Sequence, residues 1–267
     1  MKKPYLLAID VGNTNTVFAL YRERAQQAQW RVATRRDRTA DEHAAALTQL
    51  MALKGFTHRG VDAAVISSVV PQALKPLQGM CQDLFGCTAK VVGENLGVTV
   101  PVAIDNPREA GTDRLANAVA AHTLYGGPLI VVDFGTATNF DVVDAEGRYC
   151  GGVIAAGINL SLEALHLAAA KLPRIAVERP PRVIGSNTVS AMQSGVYWGY
   201  VSMIEGMVAR IRAEFGAPMQ VIATGGLAPL FADATAAIER VDQDLTITGL
   251  VELFYADLPP ASDQGKP

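Results

Sequence analysis

The sequence has little with which to do thiol or metal chemistry. Its three cysteines, Cys81, Cys87 and Cys150, form no CxxC pair and no zinc spacing, and their odd number leaves no complete disulfide framework. Reduced thiols in a cytoplasmic protein are the expectation. The four histidines, His43, His58, His122 and His166, are scattered, so they read as surface or helix residues rather than ligands. Charge is sparse as well: 18% of residues are charged and the net charge is −3. That balance argues against a nucleic-acid partner, which needs clustered Lys and Arg, while leaving room for a basic pocket around one small anion. No apolar run is long enough to span a bilayer, and the run from Tyr5 to Ile9 behind Met1-Lys2-Lys3 is stopped by Asp10 before it reaches signal-peptide length. Neither a membrane partner nor secretion is expected. The common nucleotide and hydrolase signatures are missing too: there is no P-loop, no GxGxxG at a strand–helix junction, no HExxH and no GxSxG.

What the chain does have is apolar residues, 49% of 267, enough to bury a sizeable core in one large domain or two modest ones. Tyr5 to Ile9 reads as a buried strand that runs into the turn-rich stretch Asp10-Val11-Gly12-Asn13-Thr14-Asn15-Thr16, with further strands at Val17 to Tyr21 and Gln29 to Ala33. Thr39-Ala40-Asp41-Glu42 has the form of a capping box, and Ala46, Leu47, Leu50 and Met51 recur behind it at helical spacing as far as Gly55. Val61 to Val70, ended by Pro71, and Ala89 to Val92 read as strands, and Arg108 to Tyr125 as a helix broken by Gly126-Gly127-Pro128. The opening pattern then returns. Leu129 to Val132 leads into Asp133-Phe134-Gly135-Thr136-Ala137-Thr138, followed by strands at Phe140 to Val143 and Tyr149 to Ile154. Overlaying Leu7–Asn15 on Ile130–Thr138 sets Asp10 on Asp133 and Gly12 on Gly135, which points to an internal duplication. The expected division is 1–126 and 127–267. A helix at Ser161 to Ala170, a long one from about Thr188 to Glu214 and a strand at Met219 to Ala223 complete the second half; Pro259 to Pro267 is polar and expected to fray.

Four elements are candidates for chemistry. The two Asp-x-Gly turns expose backbone N–H groups that can cradle phosphate oxygens, with Asp10 or Asp133 placed to hold a screening cation; either turn by itself also serves as an ordinary hairpin. Gly111-Thr112-Asp113-Arg114 opens a helix, where an anion is favoured, where Asp113 can orient a substrate hydroxyl, and where Asp113 equally complements the helix dipole. Thr224-Gly225-Gly226 follows an apolar strand, and its glycines allow a flat ligand such as adenine to approach the backbone, or form a plain loop.

These elements fall in a recognisable order together with Ser67-Ser68-Val69-Val70-Pro71, Asp105-Asn106-Pro107, Gly151-Gly152-Val153-Ile154, Ala170-Lys171-Leu172-Pro173 and Gly185-Ser186-Asn187-Thr188. The series resembles the type III pantothenate kinase family over nearly the whole chain. The resemblance implies an α/β fold of two duplicated ribonuclease-H-like lobes with an interlobe cleft, as in the acetate and sugar kinase, heat-shock chaperone and actin superfamily. It implies phosphorylation of pantothenate by ATP with Mg2+, the entry to coenzyme A. Carried over by position, Asp10, Val11, Gly12, Asn13, Thr14, Asn15, Thr16 and Val17 form the first phosphate loop, and Thr136 contacts ATP. Asp133 matches a ligand of a monovalent cation, K+ or NH4+. Gly111, Thr112, Asp113 and Arg114 bind pantothenate, with Asp113 the proton acceptor. Thr188 matches a contact supplied by the neighbouring subunit, which implies a homodimer formed along the helix around Val196 to Arg210. Departures from the family pattern are Thr112 for Ala, Ile104 for an aromatic residue, and Ala156-Gly157 for Pro-Gly. Other kinases or a polyphosphate phosphatase of the same superfamily, and a transcriptional regulator derived from it, are the competing readings; retention of Asp10, Asp113 and Asp133 speaks against the last.

Overall fold

The computed structural model describes residues 5–98, 100–169 and 172–258; Ala170 and Lys171 of the Ala170–Pro173 motif, and the tail from Pro259, lie outside the described residues. Strands β1 (Tyr5–Val11), β2 (Asn15–Arg22) and β3 (Ala25–Ala33) come first. They are followed by α1 (Ala40–Leu53), β4 (Val61–Ser68), α2 (Pro71–Met80), β5 (Lys90–Val91) and α3 (Thr112–Tyr125). The second series is β6 (Leu129–Phe134), β7 (Ala137–Val143), β8 (Tyr149–Ala156), α4 (Ile158–Ala168), α5 (Thr188–Phe215), β9 (Gln220–Gly225), α6 (Ala228–Ala232), β10 (Arg240–Val241) and α7 (Leu245–Ala256).

Each series makes one five-stranded sheet, ordered β3-β2-β1-β4-β5 and β10-β9-β6-β7-β8. In both, three antiparallel strands are extended by a parallel strand on the far side of the first: β1 pairs with β2 antiparallel and β4 parallel, and β6 with β7 antiparallel and β9 parallel. The internal duplication is therefore present in the strand topology. The overlay needs one correction, because Val11 pairs with Thr16 whereas Phe134 pairs with Thr138. The second turn is one residue shorter, so Thr16 corresponds to Thr138, and Asn15 does not.

Local chemistry accounts for the element ends. Thr39 caps α1 in a reciprocal box with Glu42, an arrangement worth about 1 kcal/mol. Pro71 does not merely end a strand. It opens α2, where its missing N–H costs nothing, and the strand before it stops at Ser68.

The chain divides into two compact units. The first takes in the described residues up to Pro101, Arg108–Ala120 and those from Thr246 onward; the second is Val102–Pro107 with Ala121–Leu245. A single cut between 126 and 127 thus misplaces α7, which belongs to the first unit. Its Thr246 hydroxyl donates to Asn117 Oδ1 of α3 at 2.7 Å, and Ile247, Leu250, Val251 and Leu253 pack with Leu6, Ala8, Val65, Ala116 and Val119. The opposite face of the same sheet carries Leu7, Ile9, Phe18 and Ile66 against Leu47, Met51, Leu77 and Met80 of α1 and α2. In the second unit Ile130, Val132, Phe134, Phe140 and Val221 pack against Leu162, Tyr197, Val201, Ile204 and Phe231. The alternation follows from the pleat, which sends successive side chains to opposite faces.

Two packing features have measurable consequences. His43 of α1 is buried beside Phe18, neither ring nitrogen has a hydrogen-bond partner among the described residues, and burial, helped by Arg38, pushes its pKa down to about 4. A histidine whose folded pKa lies below its unfolded value stabilises the fold fully only above the unfolded value. Stability is therefore expected to fall as pH drops from about 6.5 towards 4, by up to roughly 3 kcal/mol from this group. Urea titrations of wild type and His43→Leu across that range should show a flatter profile for the variant; parallel profiles would assign the loss elsewhere. Gly249 of α7 lies so close to α3 that a Cβ would stand 2.0 Å from the Ala116 carbonyl oxygen. Gly249→Ala should destabilise by about 2 kcal/mol or more in thermal melts, although helix preference alone would make Ala better by about 1 kcal/mol. A stabilised variant would mean that α7 is not seated there.

Candidate active site

In the first unit the pleat decides which side chains gather at the end of the sheet. Asp10 shares its face with Leu6 and Ala8, the face that α3 and α7 cover, and it is only half-buried because β1 ends one residue later. Its register partner on β4 is Ser67, a fully buried residue whose Oγ lies 2.9 Å from Thr112 Oγ1. Thr112 is the first residue of α3, and Asp113 and Arg114 follow in its first turn. The Ser67–Thr112 bond thus ties the strand beside Asp10 to the helix end that carries Asp113. Asp113 Oδ1 accepts the Arg114 backbone N–H at 2.8 Å, and the carboxylate sits where the helix dipole favours a negative charge. The Thr112 methyl group faces Gly93, so this side chain is directed into the unit.

The turn between β1 and β2 is closed by the Gly12 N–H donating to the Asn15 carbonyl at 3.0 Å. Asn13 and Thr14 are exposed at its tip, whereas Val11, Thr16 and Val17 are buried. Val11 and Val17 point into opposite cores, and both are paired within the sheet. Thr34, just past β3, holds the turn from inside: its N–H donates to the Thr14 carbonyl at 2.9 Å. Its hydroxyl donates to the Gly12 carbonyl at 2.7 Å and lies 2.9 Å from Thr16 Oγ1. No local pattern marks Thr34 in the sequence, because its partners are 18 to 22 residues away.

The second unit repeats the plan. Asp133 is half-buried near the end of β6 and lies opposite Thr224 of β9, the counterpart of Ser67. Its turn is closed by the Gly135 N–H and the Ala137 carbonyl at 3.0 Å, and the Gly157 N–H donates to the Thr136 carbonyl at 3.1 Å, as Thr34 does to Thr14. Thr136 therefore corresponds to Thr14, and its side chain is exposed at the turn. A Cβ on Gly157 would stand 2.1 Å from the Thr136 oxygen, so no other residue fits there. Gly225 is held at φ +90° with the Phe134 carbonyl 2.6 Å from where a Cβ would be. The constraint on this glycine is internal, while Gly226 faces open space. Thr188 is exposed and opens α5 behind the Asn187 cap.

Two sets of predicted site residues are thus brought together within the first unit, the 10–17 turn and the 111–114 helix start, and Asp133 and Thr136 within the second. A backbone-rich turn with a carboxylate at the strand end and a hydroxyl-lined interior suits phosphate groups carrying a cation. Among the described residues no group of three His, Cys, Asp or Glu side chains is placed to hold a metal by itself, and no described helix is long and apolar enough to cross a membrane.

Among solved structures the fold is similar to the activator of 2-hydroxyisocaproyl-CoA dehydratase from Clostridium difficile with bound ADPNP, with TM-score 0.55 at 12% identity and coverage of 97% of this chain and 99% of that one. It is also similar to a ROK hexokinase from Thermus thermophilus, with TM-score 0.51 at 12% identity, covering 95% and 98%. These likenesses establish the actin-like ATPase and sugar-kinase fold. At the level of sequence the chain is 56% identical over 256 residues to the type III pantothenate kinase of Paramagnetospirillum magneticum, covering 96% of this chain and 98% of the relative. It is 57% identical to that of Rhodospirillum rubrum, covering 95% and 99%. The sequence model of the same family matches residues 6–210, and on these grounds the chain belongs to the type III pantothenate kinase family.

Proposed function

We infer that this chain transfers the γ-phosphoryl group of ATP to the primary hydroxyl of pantothenate, giving 4′-phosphopantothenate in the first step of coenzyme A biosynthesis. The observation that carries the reading is the Ser67–Thr112 bond, which sets the Asp113 helix end against the strand of Asp10, within a family whose members bear this name.

Transfer of this kind passes through a loose transition state that demands positioning and charge neutralisation more than a strong nucleophile. Asp113 accepts a hydrogen bond from the pantothenate hydroxyl, aims its oxygen at the phosphorus, and takes the proton late; a carboxylate is too weak a base to ionise an alcohol beforehand. Arg114 pairs with the substrate carboxylate, with Gly111 and Thr112 framing the helix start. The first phosphate loop, Asp10 to Val17, cradles the phosphates through the N–H groups at the tip of its turn, and Thr136 makes a further contact to ATP. Asp10 is the residue that would hold Mg2+, which neutralises phosphate charge when bound; one carboxylate suffices because Mg2+ takes most of its ligands from phosphate and water. Asp133, the counterpart of Asp10, is assigned the monovalent cation, K+ or NH4+.

A homodimer completes the reading, with Thr188 of the partner subunit reaching pantothenate. Support comes from α5, whose buried face carries Tyr197, Val201, Ile204 and Val208, leaving Gly195, Gly199 and Ser202 exposed. Small residues on that face let a second helix approach closely. The enzyme is assigned to the cytoplasm, with no nucleic-acid or membrane partner.

A coupled assay with pantothenate and ATP, with and without potassium, should show cation-dependent turnover, and silence under every cation would overturn the assignment. Asp113→Asn should retain ATP binding while turnover falls by ~10²-fold or more, the scale of a positioned base. Unchanged turnover would remove Asp113 from the mechanism.

A further inference from the structure

We propose that Thr34 is a positioning residue for the phosphate turn, holding the Gly12–Thr14 backbone in its ATP-binding geometry; the proposal rests on the reading of that turn as an ATP site. Thr34 uses three polar contacts on one loop. Its N–H takes the Thr14 carbonyl, its hydroxyl donates to the Gly12 carbonyl, and the same oxygen meets Thr16 Oγ1, a buried hydroxyl at the base of the turn. In a planar trans peptide the C=O and the following N–H point in opposite directions. Pulling the Gly12 and Thr14 oxygens towards Thr34 therefore turns the Asn13 and Asn15 N–H groups away from it. The Gly12 N–H is already spent on Asn15, so the orientation of those two amides decides how many donors the turn presents to an anion.

The second unit supplies an internal control. Gly157 stands in the place of Thr34 and makes the backbone half of the clamp to Thr136, but it has no side chain and leaves no room for one. The turn it holds is one residue shorter. The hydroxyl is thus present only where the longer turn has an additional peptide to orient. Without it, the Gly12–Asn13 peptide is free to rotate, and the ordering cost is met when nucleotide binds.

Thr34→Val keeps the shape and the backbone donor and removes only the hydroxyl; Thr34→Ser keeps the hydroxyl. Purified full-length proteins are compared by calorimetric ATP titration, by steady-state KM for ATP and for pantothenate, and by thermal melting. The expected result is ATP affinity about tenfold weaker in Thr34→Val, the scale of one lost hydrogen bond, with KM for pantothenate within about twofold and affinity restored in Thr34→Ser. Loss of melting temperature with ATP affinity unchanged, or equal impairment of both variants, would overturn the proposal. If Thr34→Val does not fold, Thr34→Cys, a weaker donor of similar size, takes its place under the same criteria. Wild type that binds ATP without phosphorylating pantothenate would defeat the substrate assignment and leave the clamp standing. Wild type that binds no ATP would defeat both.

Discussion

The first strand of each sheet is buried on both faces until its last residues, and the site depends on that constraint. Leu6 to Ile9 and Leu129 to Val132 are all in the core, so a carboxylate can occur on these strands only where the chain leaves the sheet. Asp10 and Asp133 occupy that position, the penultimate residue of β1 and β6. An isolated, unpaired charge deeper in either strand would carry a desolvation cost of several kcal/mol. Beyond Val11 and Phe134, the last paired residues of these strands, the backbone loses its ladder partners and must find others, which is why each following turn is cross-braced by its own N–H groups and by a residue arriving from the third strand.

The duplication is exact in topology and inexact in chemistry. Both turns are closed across the strand ends, and both are tied to the residue after the third strand, yet one ends on a threonine with a working hydroxyl and the other on a glycine. The first turn is longer by one residue.

The link between Ser67 and Thr112 is a second structural decision. The Thr112 hydroxyl reaches a buried serine on the strand next to Asp10. Ser67 is fully buried, so removing its partner alone would leave a buried hydroxyl unsatisfied. The helix start with Asp113 is therefore held by a directional contact as well as by the apolar packing of Ala116 and Val119.

Much of this was legible in the chain. Continuous apolar runs marked the central strands, Thr39 and Glu42 marked the start of α1, and the repeated Asp-x-Gly announced the duplication, because those signals arise from local sequence. Pro71 was read as a stop when it opens α2, since proline suits both places. The ownership of α7, the register that aligns Thr16 with Thr138, and the internal role of Gly225 were not legible. Each depends on which distant segment packs alongside, and neither strand register nor helix docking is written in neighbouring residues. Thr34 is the clearest case: an ordinary residue in sequence, it becomes a support of the phosphate turn only because β2 and β3 bring it back across 18 positions. The sequence by itself determined the fold class, the duplication and the residue types available for phosphate chemistry; the tertiary structure alone decided which hydroxyls and glycines hold those residues in place, because hydrogen-bond partners are set by proximity in space.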